Sequence, residues 1–405
     1  MKKKFYLTGL PFCRFVIIFK NMNKSDIKRN YWMLDGRFAR KGYDWWWHNF
    51  TGVNEKTGEE KTFFIEYFTC NPALAGQKEG PVLGQLLENR EKGLRPSYVM
   101  VKCGWWGEDA TQLHRFFAWK DAKVGTGTAG YYLEAGDCSA SETALRGSVD
   151  ISQADAAAHP EWMCNSGSIQ WDIQVQKKVA FNVGYGASVL FRKLKAFEMY
   201  WHAEGMKSEY SGTITANGEK YIIKSEGSFG YADKNWGADF TSPWVWLSSC
   251  DLVSKVSGKR LTDSVFDIGG GRPKAFGIAM NRKLLSDFWY EGKSYEFNFS
   301  KFWTLCRTKF DCRETDDKIV WYVRQETTKA VMETSVECQK SQMLLVNYES
   351  PDGAKRHNRL WNGGTGTGTV KLWKKKGLLG SRESRLQLID EIEARHIGCE
   401  WGEYC

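Results

Sequence analysis

Tyr231-Ala232-Asp233-Lys234-Asn235-Trp236-Gly237, followed by Trp244-Val245-Trp246, sets three ionisable or amide side chains among tryptophans. Read as strands, the two segments place Trp244 and Trp246 on one face. Apolar surroundings hold an acid protonated, and aromatic faces stabilise a cation, so this mixture suits acid chemistry on an apolar substrate. It suits equally a hairpin with a buried Trp pair and a surface ion pair.

Working outward, alternation is the dominant rhythm. Trp171, Ile173 and Val175 share one face and Asp172 and Gln174 the other, as in a half-buried strand. Asn217-Gly218 predicts a type I′ turn between strands over 210–224. A second hairpin is expected from Met343–Tyr348 through Pro351-Asp352-Gly353 into Lys355–Trp361. Helix-like patterns are few: Val82–Arg90, and Glu383–Glu393, where a strand reading is equally open. With 40 Gly, 8 Pro and 15% aromatics in 405 residues, the composition is that of a β-rich chain. The Gly-rich stretches Gly125–Gly130, Gly269–Gly271 and Gly363–Gly368 lack the Lys-Ser/Thr of a phosphate loop and read as turns or bare strand faces.

The net charge of +9 belongs mostly to one end. Residues 1–30 hold eight Lys or Arg against one acidic residue, Asp26, so +7 lies there and only +2 in the rest. That excludes a basic nucleic-acid footprint. Lys2-Lys3-Lys4 and the apolar stretch Phe12–Phe19, broken by Arg14, mimic a signal peptide without its small-residue cleavage site. Met22 is an alternative start. Residues 1–21 are expected outside the fold, a weak membrane-surface contact being the minor alternative. The 11 Cys and 6 His show neither zinc spacing nor HExxH. They predict reduced thiols, no metal and a cytoplasmic or membrane-associated protein.

Two further segments carry candidate chemistry. In Tyr43-Asp44-Trp45-Trp46-Trp47-His48, Asp44, Trp46 and His48 share a strand face, and a carboxyl desolvated by indoles is an acid near neutral pH. In Phe197–Glu204, Glu198, Tyr200, His202 and Glu204 share a face. The bland readings are an Asp that caps a turn and a solvated polar face.

Together these pieces resemble the tocopherol cyclase family and its bacterial relatives. Tyr231–Gly237 with Trp244–Trp246 resembles the family signature; Asp35-Gly36 with Tyr43–Trp47 resembles its N-terminal aromatic motif. Phe63–Tyr67 with Asn71-Pro72, Glu198–His202 and Ile392–Gly402 follow in order. His48 stands where the family has Lys and Trp47 where it has Tyr, and residues 73–97 and 301–340 have no counterpart. The resemblance implies an all-β fold of two lipocalin-like antiparallel barrel or sandwich domains with few short helices. It divides the chain into an extension (1–30), a first domain (31–260) and a second (261–405). It also implies a cofactor-independent cyclase that protonates an alkene of a hydrophobic prenylated substrate and closes a ring. Asp44, Asp233 and His202 are then the candidate acids. Trp46, Trp47, His48, Glu198, Tyr200, Tyr231, Lys234, Asn235, Trp236, Trp244 and Trp246 are the candidate substrate contacts. Asp44, His202, Asp233 and Trp236 are expected around one cavity. The alternatives are a non-catalytic carrier of an apolar ligand, a hydratase acting on a polyene, and a carbohydrate binder with exposed Trp.

Overall fold

A computed structural model of the chain describes residues 28–181, 197–272, 274–275, 278–279, 283–299, 301–354, 356–376 and 385–403. The expected extension over residues 1–21, its membrane contact and the start at Met22 lie outside these, as does the beginning of Glu383–Glu393.

The protein is all-β, with two large antiparallel sheets. In the first, the strands run in the order Thr111–Phe117, Tyr98–Trp105, Glu60–Cys70, Tyr43–Asn54, Glu219–Ile223, Met199–Ala216, Gly167–Phe181, Ala144–Ile151, Cys138–Ser141, Gly130–Ala135 and Ala122–Gly127. Gly230–Gly237 pairs with both Tyr43–Asn54 and Met199–Ala216. The sheet curls until Arg115, on its edge strand, reaches Asp137 and the Ser148 carbonyl. Its interior is filled by the inward half of each alternating strand, Ile169, Trp171, Ile173 and Val175 among them, while Gln170, Asp172 and Gln174 stay exposed. The Asn217-Gly218 turn has both residues at positive φ, 47° and 82°, the geometry that the right-handed strand twist requires.

The second sheet runs Lys293–Phe297, Lys283–Tyr290, Val265–Gly271, Trp244–Ser249, Leu386–Glu403, Arg356–Lys375, Ala330–Gln339, Lys318–Glu326 and Arg307–Glu314. Asp251–Ser254 and Leu344–Glu349 pair at its sides, the latter completing the hairpin with Arg356–Lys375. Gln325 reaches back to the Leu284 carbonyl and so closes this layer around its own apolar core.

Sheet membership changes between Gly237 and Trp244. Trp244–Ser249 and Asp251–Ser254 lie before residue 260, yet they pair with Val265–Gly271 and Leu386–Glu403 in the second sheet. Asn30, expected in the extension, is fully buried, and its carbonyl accepts the Trp46 indole N–H at 2.8 Å. Helix is scarce. Within Val82–Arg90 and just beyond, only Leu87–Glu91 is helical; its N-cap, Leu86, supplies no side-chain acceptor. A short helix over Gln153–Ala158, capped by Ser152, was not foreseen. From Leu386 the ambiguous segment is strand, because it pairs along Arg356–Lys375.

A third apolar cluster joins the sheets. Trp47, Phe64, Phe68, Met100, Trp106 and Trp201 of the first pack with Trp244, Trp246, Leu344, Val346, Tyr348 and Leu360 of the second. Bare glycines make this possible. A Cβ on Gly364 would collide with Trp106, one on Gly398 with Trp246, and one on Gly269 would lie 2.6 Å from Trp201. Gly364→Ala and Gly269→Ala should each cost about 1–3 kcal/mol by overpacking, read from urea unfolding. A Gly364→Ala protein as stable as the parent would show that the indole does not fill that slot.

Candidate functional site

The period-2 geometry of three paired strands sorts the candidate residues onto two faces. Register pairs Asp44 with Trp236, Trp46 with Lys234 and His48 with Ala232, and it pairs His202 with Lys234. These side chains share the face toward the interior of the first sheet. The alternate set, Trp45 with Asn235 and Trp47 with Asp233, together with Trp201, faces the junction. Asp44, His202 and Trp236 are therefore brought together, and Asp233 stands on the opposite side of the same sheet.

On the interior face, Asp44 is fully buried and forms an ion pair with Lys234, while its second oxygen accepts the Met33 N–H at 2.7 Å. Burial pushes its carboxyl up to about 6, with Lys234 opposing. Lys234, lowered by the same burial, lies 3.8 Å from the Trp46 ring centroid. Tyr210 donates to the Tyr231 carbonyl at 2.8 Å and so accepts from His48 Nδ1, 3.0 Å away. That assigns the Nδ1–H tautomer to a neutral His48. Burial, with Arg29, Lys177 and Lys234 nearby, lowers His202 to about 3 and holds it neutral. Glu204 pairs with Lys177 at 3.0 Å. Glu198 stands apart, half-exposed and 3.2 Å from Lys274; Tyr200 stacks on Trp236 at 5.4 Å.

On the junction face, carboxyls meet indoles. Asp233 accepts the Trp201 indole N–H at 2.8 Å and Asp267 accepts that of Trp246 at 3.1 Å. The Tyr231 hydroxyl lies between them, 3.2 Å from Asp233 and 3.4 Å from Asp267. One hydroxyl proton serves one carboxylate at a time. Burial raises both well above the usual carboxylate range, reinforced at Asp233 by the charges of Glu400 and Glu204 and at Asp267 by that of Asp233. Glu66 pairs with Lys102 at 2.9 Å and accepts from Tyr348 at 2.9 Å. Asn235 accepts from Tyr43 at 3.1 Å, and its amide N–H groups have no partner.

The residue that sequence reasoning missed is Glu400. It lies on the closing strand Leu386–Glu403 and lines a junction cavity with Trp45, Met199, Phe240, Thr241, Trp244, Tyr348 and Leu360. The cavity volume is about 20 Å³, room for one water. Glu400 accepts from the Trp244 indole and from the Asn362 amide, each at 2.5 Å. Burial outweighs these donors and raises it to about 7, so it can hold and release a proton near neutrality. A larger surface groove, about 680 Å³, runs past Leu74–Gly80 and Trp119, but its charged groups Lys78, Glu79 and Lys120 are solvent-exposed. Among the described residues no His/Cys/Asp/Glu cluster is arranged to hold a metal, and no helix is long and apolar enough to cross a membrane.

Residues 57–402 match the model of the family described as tocopherol cyclase-like. The chain belongs to this family. Over 101 residues it is 33% identical to a rice (Oryza sativa subsp. japonica) protein named probable tocopherol cyclase, chloroplastic. That alignment spans 25% of this chain and 20% of the relative, so the chain matches about a fifth of that protein's length. Two solved structures have a similar chain path. A protein assigned as AttH from Nitrosomonas europaea is 11% identical, with TM-score 0.44, covering 90% of this chain and 95% of that one. Kievitone hydratase from Nectria haematococca is 12% identical, with TM-score 0.46, covering 90% and 89%. The family match includes Tyr231–Trp236 and Glu400 and begins after Asp44–His48.

The junction acids set a pH dependence. Their folded pKa values are raised, so the neutral form favours the fold. That stability is complete below the unfolded carboxyl value near 3.8 and is lost as pH rises toward the folded values. The contribution of these two acids to the unfolding free energy should therefore fall as pH rises above about 4. In Asp267→Asn the decline should be shallower by up to about 1.4 kcal/mol per pH unit. Parallel profiles for parent and variant in urea titrations would refute a neutral Asp267.

Proposed function

We propose that this family member cyclises a prenylated aromatic by protonating its alkene in the domain junction, with Glu400 as the acid. The observation that carries this reading is one carboxyl group, poised near neutral pH, in a cavity walled by Trp45, Phe240, Trp244 and Tyr348. The carboxylic acid gives its proton to the less substituted alkene carbon. The tertiary cation left behind is faced by aromatic rings, which stabilise it and exclude water. The phenol oxygen then bonds to the cation, and its proton returns to the Glu400 carboxylate. Atoms balance with no net proton change, so the reaction is an isomerisation. Asn235, with an unpartnered amide donor on the same face, suits the phenol oxygen. Trp45 stacks on Tyr348 at 5.2 Å, and admitting a prenyl chain requires these rings to move apart.

The acids expected from sequence take other roles in this reading. Asp44 has both oxygens engaged, by Lys234 and the Met33 N–H, behind the sheet. His202, neutral down to about pH 3, has no imidazolium proton to give. Asp233 faces the junction and, with Asp267, supplies a neighbouring neutral carboxyl.

Incubation with a prenylated hydroquinone in deuterated water should give a ring-closed product carrying one deuterium at the former alkene. Glu400→Gln should lose about 10²–10⁴-fold in rate. Tight binding without turnover would indicate a carrier, and a product heavier by one water a hydratase. Full activity in Glu400→Gln would return the role to Asp233.

A further inference from the structure

Glu400 is held by two N–H donors, and one of them is governed from the other sheet. Asn362 sits opposite Glu400 in strand register, and its amide donates to Oε1. An asparagine can present either end of its amide. Here the choice is made by Trp106, whose indole N–H donates to Asn362 Oδ1 at 2.8 Å. An indole can only donate, so a flipped amide would set N–H against N–H at Trp106 and oxygen against oxygen at Glu400.

Trp106 is itself fixed. It is 1% exposed, lies 4.8 Å from the Phe64 ring and 6.1 Å from that of Trp47, and fills the space left by the missing side chain of Gly364. The slot and the amide are neighbours in sequence: Asn362-Gly363-Gly364 presents one polar side chain and then bare backbone.

We propose that Trp106 is a positioning residue: reaching across the junction, it locks the Asn362 amide so that Glu400 always meets a donor, and the acid is assembled only when the two sheets are docked. This rests on the reading of Glu400 as the proton donor. A donor favours the carboxylate; an acceptor in its place opposes it. The other groups that face Glu400 are Glu66 and Lys102 from the first sheet, with Asp233, Tyr348 and Cys399. All of them stay in place when only the indole N–H is removed.

The test is Trp106→Phe, which keeps an aromatic ring and loses the donor. Infrared titration of the Glu400 carboxyl, isolated by subtracting the Glu400→Gln spectrum, needs no substrate. In Trp106→Phe the midpoint should rise by about one pH unit, the scale of a charge-assisted hydrogen bond. The alkaline limb of the rate profile should move with it, kcat changing more than KM. Phe64→Leu, which disturbs the same packing without touching the N–H, should leave the midpoint in place. Should Trp106→Phe fail to fold, Asn362→Leu removes the donor directly and should raise the midpoint at least as far. An unchanged midpoint in a folded Trp106→Phe, or an equal rise in Phe64→Leu, overturns the proposal. A raised midpoint beside a fully active Glu400→Gln would keep the positioning role and overturn the catalytic one.

Discussion

The junction depends on burying carboxyl groups among indoles. Glu66, Asp233 and Asp267 are buried here and Glu400 is partly exposed, and Lys102 pairs with Glu66. Ionising neighbouring carboxyls together in a low-dielectric interior is costly, and burial raises Asp233, Asp267 and Glu400 above the usual carboxylate range. The indole N–H groups of Trp201, Trp244 and Trp246 satisfy oxygens without bringing charge. Tryptophan thus does two things here: its ring closes the junction against water, and its N–H makes a buried acid tolerable. The same pairing of a low dielectric with fixed donors is what an acid catalyst for an apolar alkene needs.

One sheet separates two polar systems. Asp44–Lys234 and Lys177–Glu204 lie on its inner side, where each charge has an opposite partner. Such pairs hold strands together, and breaking one typically costs about 3–5 kcal/mol. The junction side carries an excess of acids. A single-residue step along Gly230–Gly237, from Lys234 to Asp233, passes from the paired charges of one face to the acids of the other.

Much of the fold was legible because strand periodicity and turn chemistry are local. Trp171, Ile173 and Val175 announce their buried face, and Asn217-Gly218 its turn, within a few residues. The glycine rows read as turns or bare strand faces; that Gly364 receives Trp106 and Gly269 receives Trp201 depends on which surfaces dock. The sheet change after Gly237 was blurred for a related reason. Trp244–Ser249 looks like a continuation of the preceding strand until its partner, Leu386–Glu403, more than a hundred residues away, is known.

The amino-acid sequence alone determined that the chain is antiparallel β, that its signature strand mixes ionisable groups with tryptophan, and that most of its net positive charge lies in the first thirty residues. Which acids share a space was decided only by tertiary structure. Asp44 and Asp233 look equivalent in sequence, each beside indoles, yet strand alternation sends them to opposite faces. Glu400 sits in Gly398-Cys399-Glu400-Trp401, inside the family-like closing segment and beside an indole, but nothing local shows which groups surround it. Its character comes from Trp244, Asn362 and, at one remove, Trp106. The physical reason is that a carboxyl's pKa is set by the dielectric and donors around it, and these are supplied by distant segments only when the two sheets meet.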